Sequence, residues 1–103
     1  MLSQEVFLSL LKESPEMERA FMAAVRATIV CRAAEANKSG FFSNLGAKQK
    51  GVKMMFLTEQ LISGFRYNGS PLSKEEDKLV REWIVGTAIA FENAVLSGKQ
   101  ISN

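Results

Sequence analysis

The sequence contains no histidine and one cysteine, and these two shortages remove much of the chemistry that small enzymes use. Without histidine, the commonest general base, the commonest transition-metal ligand and the usual Ser-His and Cys-His pairs are missing. A single cysteine cannot form an intramolecular disulfide, which is typical of a reducing compartment, so we expect a cytoplasmic protein. We predict no catalytic residues, no metal site and no cofactor, and we expect that the protein is not an enzyme.

Long uncharged apolar runs are also missing. The best candidates for a run of about 18 residues are interrupted by Arg26, Arg32 and Glu92, which argues against a transmembrane helix. The first residues lack both a basic segment and a small-residue cleavage site, so no signal peptide is expected. The sequence therefore predicts a small soluble protein with no membrane partner.

Glycine and proline are sparse, with seven and two residues, so long irregular segments are not expected. The chain has 103 residues, which fits one domain over residues 1–103. Its hydrophobic fraction of 47% and charged fraction of 23% are ordinary for a globular protein and argue against disorder.

Helix start signals divide the chain into four helices. Ser3 is the predicted N-cap of a short helix over about 4–13, and Ser14-Pro15-Glu16 opens a long one over about 15–38. A connection from Gly40 to Gly46 leads to a third helix over about 47–63, in which Gly51 would loosen the first turn. The pattern Ser73-x-x-Glu76 is a capping box for a long fourth helix that ends near residue 97.

Apolar residues recur along these helices at helical spacing. The predicted buried face of the fourth helix is Leu79, Val80, Trp83, Ile84, Ala88, Phe91 and Val95. The dipeptide Asn68-Gly69 predicts a turn between the third and fourth helices. The expected fold is all-α: a small four-helix antiparallel bundle with a short first helix and two long helices.

Two single residues have a structural interpretation and a functional one. Cys31 could be a reactive thiol, but its phase with Phe21 and Ala24 favours a buried core position. Gly86 lies in the middle of the fourth helix, and we expect it to permit the close approach of another helix. The acidic run Glu75-Glu76-Asp77 fits helix capping better than cation binding.

The positive charge is concentrated in the middle of the chain. Residues 36–73 contain five basic residues and one acid, Glu59, whereas the segments on either side each have one more acid than base. The adjacent residues Phe41 and Phe42 lie in the same region. This pattern suggests a contact surface for an anionic partner, although a solvated lysine face with both rings tucked under the bundle would produce it too.

The leading hypothesis is a small non-enzymatic interaction protein, acting as an adaptor, inhibitor or regulator on another protein or as a homodimer. An acidic protein would suit the basic segment, and we expect the connection from Gly40 to Lys53 to be the main functional surface. The alternative is a nucleic-acid-binding regulator that uses the basic segment 38–66. The predicted partner-binding residues are Phe41, Phe42, Lys48, Lys50, Lys53 and Arg66.

Overall fold

The computed structural model describes residues 1–37 and 40–101, with side chains for residues 1–37 and 44–95. Within these residues, four helices and one small hairpin follow each other in the order α1 (Gln4–Glu13), α2 (Pro15–Asn37), α3 (Gly40–Gly64), β1 (Arg66–Tyr67), β2 (Ser70–Pro71) and α4 (Lys74–Ile101). The all-α bundle with a short first helix is confirmed. Three of its helices are long rather than two, with 23, 25 and 28 residues.

The helix starts that the sequence predicts are present. The Ser3 hydroxyl accepts a hydrogen bond from the Val6 amide, which caps α1. At the start of α4, the Glu76 amide donates to the Ser73 hydroxyl at 3.2 Å, and the Ser73 amide donates to the Glu76 carboxylate at 3.0 Å. Both halves of the capping box are therefore formed, and each satisfies a backbone N–H that the helix itself leaves unpaired.

The start of α3 differs from the prediction. The helix begins at Gly40, so the residues expected to form a connection as far as Gly46 are helical. Glycine lowers helix propensity by about 1 kcal/mol relative to alanine, and this penalty makes the segment look irregular in the sequence. Packing outweighs it, because Ala47 is buried and Gly51 lies against α2.

The Asn68-Gly69 turn joins two short antiparallel strands that the sequence reasoning did not predict. Both turn residues have positive φ angles, 55° and 79°, which is the conformation of a two-residue hairpin turn. Tyr67 pairs with Ser70, and Arg66 pairs with Pro71. The hairpin reverses the chain between α3 and α4.

Helix α2 is central and contacts each of the other three helices. Helix α3 runs antiparallel to it, because Gly64 lies near Met17 at one end while Gly51 lies near Cys31 further along. Helix α4 runs in the same direction as α2. Near the start of both helices, Phe21 and Trp83 pack on the ring of Phe7, and Arg32 pairs with Glu92 further on. The three long helices therefore form an up-down-up arrangement.

The core is concentrated at the end of the bundle where α1 packs. The ring of Phe7 is fully buried, and its centroid lies 5.1–5.5 Å from those of three other aromatic rings: Phe21, Phe65 and Trp83. On α4, the predicted buried face is confirmed only in its first half. Val80, Ile84 and Ala88 are buried, whereas Phe91 and Val95 are exposed.

Candidate functional site

A groove on the molecular surface lies between α2 and α3. Its cavity of about 390 Å³ is lined by four apolar and three cationic side chains: Ala23, Ala27, Val30 and Leu57, with Arg26, Lys50 and Lys53. We call these seven residues the α2–α3 groove. It has an apolar floor and positive charge on both walls.

Helical periodicity explains why these side chains meet. Residues 23, 26, 27 and 30 follow an i, i+3, i+4, i+7 pattern, which places them on one face of α2. That face adjoins the buried positions Ala24 and Thr28. On α3, residues 50, 53 and 57 share a face by the same spacing. The groove is the outer seam of the α2–α3 pair.

The charges of the groove are unbalanced. None of the seven lining residues is acidic. Arg26, Lys50 and Lys53 are exposed, and within the described part of the chain they form no ion pair. An anionic group that entered the groove would meet three cations without displacing a carboxylate.

Among the predicted site residues whose side chains the structure describes, two come together. Lys50 and Lys53 lie in the groove. Lys48 comes two residues before Lys50, a rotation of about 200° around the helix, and is exposed on another side of α3. Arg66 lies in β1, where its guanidinium donates to the carbonyl oxygens of Ser63 and Phe65 at 2.8 and 2.9 Å.

The side chains of Lys38, Phe41 and Phe42 lie outside the described part of the chain. Phe41 and Phe42 belong to the first turn of α3, so the expectation that they lie in a connection between two helices is wrong. The prediction that Phe41 and Phe42 bind a partner stays a prediction.

Arg26 is the groove residue that the sequence reasoning missed. In the sequence it stands out only as a charge that interrupts an apolar helix. The available signal was its place among Ala23, Ala27 and Val30 on one stripe of α2. This face of α2 indicates a binding groove only when the structure shows that it lies next to the lysines of α3.

A second surface is apolar and lies on another side of α3. Val52, Met55 and Phe56 are 68%, 60% and 59% exposed. We call these three residues the outer stripe. Glu59 follows one turn later and accepts a hydrogen bond from Arg81 of α4, whose guanidinium also donates to Asp77. The carboxylates of Asp77 and Glu59 raise the pKa of Arg81 above its usual value, so this bridge between α3 and α4 keeps its charge.

A larger hollow, about 990 Å³, lies between the later turns of α2 and α4. Phe91 and Val95 line it. Across it, the guanidinium of Arg32 on α2 donates to the carboxylate of Glu92 on α4, with Nε–Oε1 and Nη2–Oε2 distances of 3.0 and 3.4 Å. Cys31 also lines the hollow and is half-buried, so the expectation of a fully buried core position for this residue is wrong.

Some kinds of site are absent from the residues that the structure describes. They contain no group of three or more His, Cys, Asp or Glu side chains placed to hold a metal ion. None of their helices has the length and apolar character needed to span a bilayer. Comparison of the chain with protein-family models, curated proteins and solved structures finds no match.

Proposed function

We propose that this protein is a non-enzymatic interaction protein that binds an acidic, amphipathic helix of another protein in the α2–α3 groove. One observation carries the proposal: an apolar floor lies between cations contributed by two different helices, and no acid lines it. Binding a helix in a groove requires an apolar stripe to bury and charges that fix its orientation.

The dimensions of the groove support a helical occupant. From Ala23 to Val30 the floor extends over seven residues of α2, or about 10 Å. That length accommodates two turns of a partner helix, which would present apolar side chains at positions i, i+3 or i+4, and i+7. The two alanines permit a close approach, while Val30 and Leu57 supply apolar contact.

The charges would then select the partner. Arg26 lies on the α2 wall of the groove, and Lys50 and Lys53 lie on the α3 wall. Acidic residues on both sides of the partner's apolar stripe could therefore each pair with a cation. Because these cations are exposed, their main effects would be faster association and discrimination against basic partners.

The nucleic-acid alternative has less support. Its proposed residues lie on different sides of the molecule, since Lys48 points away from Lys50 and Arg66 caps the end of α3. None of the seven described residues of the α2–α3 groove is aromatic, so they offer no platform on which a base could stack.

A designed peptide tests the proposal. The probe is a fluorescently labelled helix with leucines at i, i+4 and i+7 and glutamates on both sides of that stripe. Fluorescence anisotropy should show saturable binding that weakens with salt, as expected for exposed charges. Lys53→Glu should reduce the affinity by about tenfold, or 1.4 kcal/mol.

Lys78→Glu is the matched control, because it makes the same charge change at an exposed position on α4, outside the groove. Equal losses from both variants would mean that net charge, and not the groove, controls binding. Failure of the peptide to bind, with binding of duplex DNA or RNA that Lys53→Glu abolishes, would replace the proposal with the nucleic-acid alternative.

A further inference from the structure

The outer stripe of α3 exposes three large apolar side chains next to one another. Val52, Met55 and Phe56 lie within two turns of helix, and each is more than half exposed. Isolated exposed apolar residues are normal on a protein surface, but a contiguous group indicates an interaction site. The stripe lies on the α4 side of the buried face of α3, whereas Lys50 and Lys53 lie on the α2 side, so it is separate from the α2–α3 groove.

Opposite charges stand at the two ends of this stripe. Lys48 precedes Val52 by four residues, and Glu59 follows Met55 by four. Residues 48, 52, 55 and 59 follow an i, i+4, i+7, i+11 pattern and therefore share one face of α3. Read along the helix, the face is positive, then apolar, then negative.

We infer that the outer stripe is covered by a second copy of this chain, with the two α3 helices antiparallel. In that arrangement Lys48 of each copy meets Glu59 of the other, and Val52 of each lies against Met55 of the other. Both pairs have the same midpoint in the sequence, between Lys53 and Met54. One two-fold axis at this midpoint satisfies both, as an isologous interface requires.

Helix α4 widens the surface that the second copy would cover. Arg81 holds Glu59 at the end of the stripe, and Val85 lies one turn beyond Arg81. Val85 and Ile89 are 42% and 37% exposed. Since α4 runs antiparallel to α3, the chain from Arg81 to Ile89 runs back in the direction of Val52. A stable dimer buries about 1,200–2,000 Å² in total, which a single helix face seldom supplies and two adjoining faces can.

Sedimentation of the full chain across a range of concentrations tests the inference. The wild-type protein should show a reversible monomer–dimer equilibrium. Lys48→Glu places two carboxylates together at each end of the interface, and Glu59→Lys places two cations there. Because the symmetry repeats each change, each variant should weaken dimerisation at least about tenfold.

Mixing the two variants gives the decisive measurement. In a heterodimer of Lys48→Glu with Glu59→Lys, every like-charge contact becomes an opposite-charge contact. The equimolar mixture should therefore recover a dimer mass where neither variant alone forms one. Phe56→Ala should also weaken the dimer while leaving the monomer's melting temperature unchanged, because the ring is exposed.

Lys50→Glu is the matched control, since it makes the same charge change two residues away on the groove side of α3. A wild-type chain that stays monomeric at every concentration would overturn the inference and indicate a different protein as the occupant of the stripe. A dimer that is insensitive to Lys48→Glu, or as sensitive to Lys50→Glu, would also overturn it. Glu59→Lys removes the bond to Arg81 and could therefore destabilise the monomer itself. In that case the result for Lys48→Glu decides the test.

Discussion

Gly51 of α3 faces Cys31 of α2, and a Cβ atom built on Gly51 would lie 3.9 Å from the Cys31 sulfur. That is an ordinary van der Waals distance, so the helix pair does not need a glycine at this position. Gly86 of α4 has still more space, because a Cβ atom there would meet nothing within 4 Å, and the predicted close helix approach is wrong. Both glycines are interior helix positions that an alanine would fit.

Gly51→Ala and Gly86→Ala should therefore each stabilise the protein by about 0.5–1 kcal/mol, through the greater helix propensity of alanine. Thermal unfolding should show a rise of a few degrees in Tm for each. Gly69→Ala is the control, because the φ angle of 79° at Gly69 strains any residue with a Cβ, and its Tm should fall. A lower Tm for Gly86→Ala would show that α4 is more crowded than the structure indicates.

The glycines of α3 show why the sequence predicted the fold class better than the helix boundaries. Caps are local signals, and Ser3, Ser14 and Ser73 place three helix starts correctly. The start of α3 depends on packing against α2, which no short window contains. Gly40 and Gly46 therefore suggested a connection, and Gly51 a loose first turn, in a segment that is helical.

The candidate site was only partly predictable for a related reason. A run of lysines is visible in the sequence, but a linear run winds around a helix, so Lys48 and Lys50 point to different sides. Arg26 joins Lys50 and Lys53, which come 24 and 27 residues later in the sequence, through the α2–α3 contact. The outer stripe was visible as apolar periodicity, but the sequence could not show that α4 leaves it uncovered.

Phe7→Ala should be severely destabilising. The ring is fully buried against Phe21, Phe65 and Trp83, which come from three different parts of the chain. Removing a buried phenylalanine costs about 3–5 kcal/mol, a large part of the stability of a domain this size. Urea denaturation should show this loss, or an unfolded variant in water.

Phe91→Ala is the comparison for Phe7→Ala, because Phe91 is 44% exposed and lines an open hollow. Its truncation should cost much less, since it creates no enclosed cavity. Similar losses for the two variants would mean that the core extends along the whole of α4 and is not concentrated around Phe7.

The capping box of α4 should make stability depend on pH. The Ser73 amide, which donates to the Glu76 carboxylate, holds the pKa of Glu76 below its usual value, and the Leu2 amide contributes in the same direction. The ionised carboxylate is therefore favoured in the folded state. This stabilisation is fully present above the unfolded pKa of about 4.3 and is lost as the pH falls through the lower folded value.

Glu76→Gln should consequently lower Tm at neutral pH, and its difference from the wild type should shrink as the pH falls below about 4. Glu82→Gln makes the same charge change at an exposed position of α4 and should not reproduce this pattern. Tm measurements of the three proteins at several pH values provide the check. A Glu76→Gln deficit that persists unchanged in acid would assign the effect to side-chain shape and not to charge.

The half-buried position of Cys31 predicts how its thiol reacts. If the sulfur were reached only through global unfolding, labelling would be slowed by the full unfolding equilibrium, which is a factor of about 10³ or more. Cys31 instead lines the hollow between α2 and α4, so a small thiol reagent should reach it in the folded protein.

The labelling rate should then be the same in the wild type and in Gly86→Ala, because the added global stability does not change access to the hollow. Phe91→Ala should increase the rate, since the ring lines the same hollow. A labelling rate that falls in Gly86→Ala in proportion to the gain in stability would show that the thiol is enclosed in the folded state.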